Sequence, residues 1–324
     1  MQLYLDEEKF NHSVHHLNGI SCVDCHSDIH HLNYAQEVPH NKQLAPVSCT
    51  SCHEQESEAF AASVHMEASG KGILMRCYAC HDYHYVTHHQ ALSVSERENR
   101  MCLRCHNPYQ GHDWLPQKKA HFDFVECTTC HTSDVPHHIH LSFHDLLGNR
   151  LLSGNEILTT LGIDHGQFMP LVDGNQDGII DFDEFDRLVL MLRQRNVHTS
   201  VHAELVAEMT PQVHRIRRGG GAEGRCEACH SARSPFFDAV TIVLSMDDGT
   251  VNHYQVERNV LESYHARHFY ALGGTRMRLL DRIGFLLMAV GVFVVMAHLS
   301  IRVATIPLRR RERNGTKQQQ ENSH

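Results

Sequence analysis

The chain has 324 residues, 41% of them hydrophobic and 21% charged, with a formal net charge of −9, 12 Cys and 31 His. The negative balance argues against nucleic acid as a partner, since a phosphate-binding surface is basic, and the apolar content excludes a simple disordered chain. With only 7% aromatic residues, part of the interior has to be filled by something other than side chains.

All 12 cysteines fall into six Cys-x-x-Cys-His units, and none is left over: Cys22–His26, Cys49–His53, Cys77–His81, Cys102–His106, Cys127–His131 and Cys226–His230. In a c-type haem site the two thiols add to the porphyrin vinyl groups and the adjacent His binds iron. Zinc ribbons, thioredoxin-like redox sites and disulfides also use paired cysteines, but none of them requires His after the second one. Six covalent haem c groups are therefore expected. Their attachment residues are Cys22, Cys25, Cys49, Cys52, Cys77, Cys80, Cys102, Cys105, Cys127, Cys130, Cys226 and Cys229. The proximal ligands are His26, His53, His81, His106, His131 and His230.

Residues 1–140 hold five of these sites, at about 22 residues per haem, which is too little chain to build a conventional core around each. The expected fold is mainly helical and irregular, organised around stacked haems that serve as the core. A Ser-Val-His triplet recurs at Ser13–His15, Ser63–His65 and Ser200–His202, each ahead of a haem unit. It reads as a short helix presenting His as the sixth iron ligand. The six proximal His leave 25 others. His84, His88, His112, His137 and His214 all lie at plausible places, and the selected distal ligands are His15, His30, His40, His65, His89, His121, His138 and His202. Met75 and Met101 are weaker candidates, because Met ligation raises the potential whereas two His keep it comparatively low.

Residues 141–195 read as a helical insertion. Asp173-Gly-Asn-Gln-Asp-Gly-Ile-Ile-Asp-Phe-Asp-Glu184 matches the EF-hand loop. Asp173, Asn175, Asp177 and Asp181 offer side-chain oxygens, Ile179 its carbonyl and Glu184 a bidentate carboxylate, with Gly178 at the turn. Ca2+ is the expected ion. Asp145–Glu156 is a degenerate second loop, with Arg150 in place of the turn glycine, expected to pair structurally without binding calcium.

Residues 196–272 carry the sixth haem site. Val240–Ser245 and Val251–Val256 flank Asp247-Asp-Gly-Thr250 as a β-hairpin. A helix is expected over 259–270, placing His265 and His268 one turn apart as either haem ligands or interfacial side chains. Residues 273–303 contain the charge-free run Ile283–Ile301, about 28 Å of helix and long enough to cross a bilayer. The tail, 304–324, carries Arg309, Arg310, Arg311 and Arg313 and is expected on the cytoplasmic side. His298 within the span could ligate haem b, contact a quinone, face a partner or simply snorkel. Residues 1–20 contain neither the basic nor the apolar region of a signal peptide.

The six haem units, the spare His and the membrane helix resemble the multihaem cytochromes c of bacterial and archaeal respiratory chains. The resemblance covers residues 10–140 and 200–302. It implies haem attachment outside the cytoplasmic membrane, with the haem region on the periplasmic or external face. It also implies electron relay between a membrane cytochrome b or quinone-linked subunit and an external redox protein. The C-terminal position of the helix and the EF-hand insertion depart from the membrane-anchored quinol dehydrogenases of that class, which places direct quinol oxidation in doubt. The expected function is electron transfer by a single-pass membrane hexahaem cytochrome. The alternatives are a reductase of a small nitrogen or sulfur oxyanion at one open haem and a structural haem subunit of a respiratory complex.

Overall fold

The computed structural model describes residues 5–31, 45–132, 134–147, 150–231, 234–263, 266–267 and 278–307. The chain divides into two units, 1–275 and 276–324.

The first half of the larger unit is built of very short helices. The haem units themselves form single turns at Cys22–Cys25, Cys49–Ser51, Cys77–Ala79, Cys102–Arg104, Cys127–His131 and Cys226–His230. Two Ser-Val-His triplets open helices, Val14–Leu17 and Val64–Ser69. Ser13 and Ser63 are their N-caps, accepting from the backbone N–H of His16 and Met66. A capped turn fixes the direction of the side chain two residues on, and here that side chain is His15 or His65. Val94 is the one buried apolar residue among the described residues before 135. Among its described residues this half forms no apolar side-chain core of its own.

The second half is organised by a six-stranded mixed sheet: β1 His137–Asp145, β2 Arg150–Leu151, β3 Thr199–Ala207, β4 Val240–Ser245, β5 Val251–Val256 and β6 Ala266–Arg267. The order is β5-β4-β1-β3-β6, with β2 on β1. β1 pairs antiparallel with β3, placing Ile139 opposite Leu205, Leu141 opposite Ala203 and Phe143 opposite Val201, and it pairs parallel with β4. Successive side chains of a strand point to opposite faces. One face therefore carries these apolar residues, packed with Ile157, Leu158 and Leu161 of helix Gly154–Leu161 and with Phe185, Leu188, Val189 and Leu192 of helix Phe182–Gln194. The other face carries His138, His140, Ser142 and His144 of β1 beside Ser200, His202 and Glu204 of β3.

Several sequence expectations change here. The hairpin over 240–256 is present as β4 and β5, turning at Gly249 with φ +85°, but it belongs to a larger sheet. The divisions expected at 140 and 195 run through one body, because β1 and β3 pair along their whole length. The third triplet, Ser200-Val201-His202, lies inside β3 instead of opening a helix; Val201 is pulled into the sheet core. Residues 258–262 form a 3-10 turn and 266–267 a strand, replacing the helix expected over 259–270. His265 and His268 lie outside the described residues.

The smaller unit is the helix Arg278–Ala304. Its segment Arg282–Ala304, 23 residues, is long and apolar enough to cross a membrane, consistent with a single-pass membrane protein. Arg309, Arg310 and Arg311 lie outside the described residues.

Candidate functional site: six facing histidine pairs

Every proximal His of the six Cys-x-x-Cys-His units faces a second His. The ring centroids are 6.3 Å apart for His26–His84, 6.2 Å for His15–His53 and 6.0 Å for His81–His214. They are 6.0 Å apart for His65–His106, 6.1 Å for His112–His131 and 6.1 Å for His121–His230. A metal–imidazole bond of about 2.0 Å, extended by about 1.2 Å to each ring centre and taken on both sides, places centroids about 6.4 Å apart. All six separations fit one iron held between two imidazoles. Direct ring stacking is closer, as in His144–His202 at 3.7 Å.

The ring nitrogens suit ligation. Nδ1 of His112 donates to the Pro108 carbonyl at 2.8 Å, His131 to Arg217 at 3.0 Å, His214 to Pro211 at 3.1 Å and His121 to Gln117 at 3.4 Å. A proton fixed on Nδ1 leaves Nε2 with a free lone pair for a metal. Burial also favours neutral imidazole at His15, His65, His84 and His230, and it holds His81 down at about 4.

The first four pairs follow one rule twice. His15 faces the second haem unit after it, and the first unit takes His84 from downstream. His65 and His214 repeat this with the fourth and third units. The backbone repeats it too, since Val14 N–H donates to the Val86 carbonyl at 2.8 Å and Val64 N–H to the Ile216 carbonyl at 2.9 Å. Val86 and Ile216 each lie two residues past the facing His.

His15, His65 and His121 are thus brought opposite proximal His, and so are His84, His112 and His214, which were outside the selected set. His89, His138 and His202 are not placed opposite a proximal His. His89 lies 3.3 Å from the Glu126 carboxylate, and His138 packs on His140 with centroids 4.7 Å apart. His202 is held in β3 against His144. His40 and the side chain of His30 lie outside the described residues.

The thiols connect the sites in chain order. Cys25 lies beside Cys52, Cys49 beside Cys77, Cys80 beside Cys102 and Cys105, Cys102 beside Cys127, and Cys130 beside Cys229. Near the fourth and fifth units Arg97, Glu98, Glu126 and Glu204 are buried polar groups. Arg97 lies 3.5 Å from Glu126. Burial raises the Glu126 carboxyl, but hydrogen bonding from His89 and the Arg97 charge outweigh it and bring the group to about 2. Glu204, which accepts from Val94 N–H at 3.1 Å, is pushed by burial to about 7.

The EF-hand-like loop is closed on itself. Both Asp173 oxygens accept backbone N–H groups, from Gln176 and Gly178. Asn175 and Asp177 accept from Asp177 and Ile179, while Glu184 and Asp181 cap each other. Gly178 has φ +85°, as the turn position requires. Among the described residues no backbone pairing joins the loop to Asp145–Glu156. Ile180 pairs instead with the sheet edge, accepting from Glu257 N–H and donating to Gln255 O, both at 2.9 Å. Part of the degenerate loop is drawn into β2, against the end of β1.

Residues 65–111 match the protein-family model described as a doubled CXXCH motif. That stretch runs from His65 past the third and fourth haem units. No curated protein and no solved structure matches the chain. The doubled motif indicates covalently bound haem c and supports a multihaem c-type cytochrome that transfers electrons.

Proposed function

We propose that this protein is a membrane-anchored hexahaem cytochrome c that relays electrons and carries out no bond chemistry of its own. The observation that carries this is the set of six facing His pairs at 6.0–6.3 Å. The haems supply one-electron storage at iron. The chain's own residues hold each iron on both faces, exclude substrate from it and set neighbouring sites in the order one to six. An oxyanion reductase requires an open iron face, and the facing His argue against one. The sixth site lies nearest to the membrane helix along the chain, so a membrane cytochrome b or quinone-linked subunit exchanges electrons there. An external redox protein serves the other end.

Calcium at Asp173–Glu184 is the second part of the reading. The site offers four carboxylates, the Asn175 amide oxygen and the Ile179 carbonyl, a hard-cation donor set, with Asp173 and Glu184 buried. Its strand pairing with β5 suits a structural clamp better than a sensor that must open.

Low-temperature EPR of the oxidised protein tests the relay. Six low-spin ferric haems are expected, and a stoichiometric high-spin haem that binds nitrite or cyanide would favour the reductase. Removing residues 273–324 is expected to give a soluble hexahaem protein that no longer accepts electrons from membranes. Undiminished transfer would reduce the helix to a tether.

A further inference from the structure

The carboxylate of Glu98 occupies the place where two haem attachment sites meet. Its ligand oxygen and the sulfurs of Cys102 and Cys127 all lie within 4.8 Å of one another. Oε1 accepts the Cys127 backbone N–H at 2.9 Å. Glu98 is 5% exposed, and its Oε2 is buried without a hydrogen-bond partner. The neighbouring cation, Arg97, is engaged with Glu126 on the sheet side. Among the described residues no ion pair of Glu98 is found. Of the other acidic groups buried here, Glu126 is engaged by His89 and Arg97, and Glu204 is pushed up by burial to about 7.

A metal held by Glu98, Cys102 and Cys127 would need the same two sulfurs that the fourth and fifth haems take as thioethers. Haems attached at those sulfurs would have neighbouring attachment points, with the carboxylate beside both. Ferric bis-His haem carries one more positive charge than ferrous haem, and a fixed negative charge in a low-dielectric interior acts on it far more strongly than one in water.

We propose that Glu98 is a positioning residue that joins the fourth and fifth haems and holds both their potentials down. The inference rests on the hexahaem reading. In this arrangement electrons cross from one half of the wire to the other through the pair of haems that gives them up most readily, which favours onward transfer over storage at mid-wire.

The test is Glu98→Gln, which keeps the acceptor for Cys127 N–H and removes the charge. Haem content by pyridine haemochrome and a potentiometric titration followed by EPR are read on the same sample. Six haems are expected. Two of them should show at least a tenfold rise in the reduced-to-oxidised ratio at fixed potential, equivalent to 59 mV for one electron, with the other four unmoved. Six haems with unmoved potentials, or a uniform shift of all six, would overturn the role of Glu98 while leaving the relay intact. Fewer than six haems in the wild-type protein would overturn the relay itself. If the variant takes up fewer haems than the wild type, the wild-type titration decides. The fourth and fifth haems, identified by the changes in His65→Met and His112→Met, should titrate in the lower half of the six. Either one in the upper half overturns the proposal.

Discussion

The imidazole of His214 stands 6.0 Å from that of His81, although β1, the EF-hand-like loop and β3 lie between them in the chain. The ring facing the third Cys-x-x-Cys-His unit is therefore supplied from beyond β1 and β3 in the chain. His214→Ala is expected to give one high-spin ferric haem among six, visible by EPR, with five unchanged. His214→Met should instead raise the potential of that haem alone. Six low-spin signals in the alanine variant would show that some other side chain ligates this iron.

Calcium should raise stability without altering the haems. A ligand that binds only the folded state adds about 2.7 kcal/mol at a hundredfold excess over its Kd. Glu184→Gln removes the bidentate carboxylate and should lower the Tm while leaving the visible spectrum unchanged. Identical melting of the wild type with and without chelator would rule the clamp out.

Arg97 is 3% exposed and balances the buried Glu126. Removing one partner of a buried pair costs about 3–5 kcal/mol because the other charge stays buried without compensation. Arg97→Met should show a loss of this size in denaturant unfolding, and Arg97→Met/Glu126→Gln should recover most of it. Equal destabilisation of the single and double variants would mean that packing, and not charge balance, sets the cost.

Burial also holds the His144 imidazole down, at about 4 against an ordinary 6.5. Between these values the unfolded chain takes up a proton that the folded protein refuses. The stability tied to neutral His144 is full above pH 6.5 and is lost as the pH falls to about 4. His144→Gln should flatten the fall in Tm over that window, and an unchanged slope would assign the acid sensitivity to other groups.

The doubled Cys-x-x-Cys-His motif and the apolar helix were legible in the sequence because each depends on neighbours within one short stretch. Two thiols and a His must sit within five consecutive residues to clasp one porphyrin edge. An uninterrupted apolar run defines the span. The two Ser-Val-His helices were legible for the same reason, since a serine cap acts within three residues. In Ser200-Val201-His202 that local preference lost to the sheet, where Val201 is fully buried and pairs with Phe143.

The facing ligands depended on the tertiary structure. A sixth ligand is chosen by which imidazole approaches through space, and 25 spare His gave no local reason to prefer His84, His112 and His214 over His89, His138 and His202. One faint signal existed: His84 and His214 both precede, by two residues, a β-branched residue whose carbonyl receives the Val14 or Val64 N–H. The same abundance of His concealed β1. Ile139, Leu141 and Phe143 alternate with His138, His140 and His144 at the period of a strand, but the His invited a reading as iron ligands. Covalent attachment is local chemistry and can be read residue by residue. Ligation across space and strand pairing are settled only when distant segments share one interior.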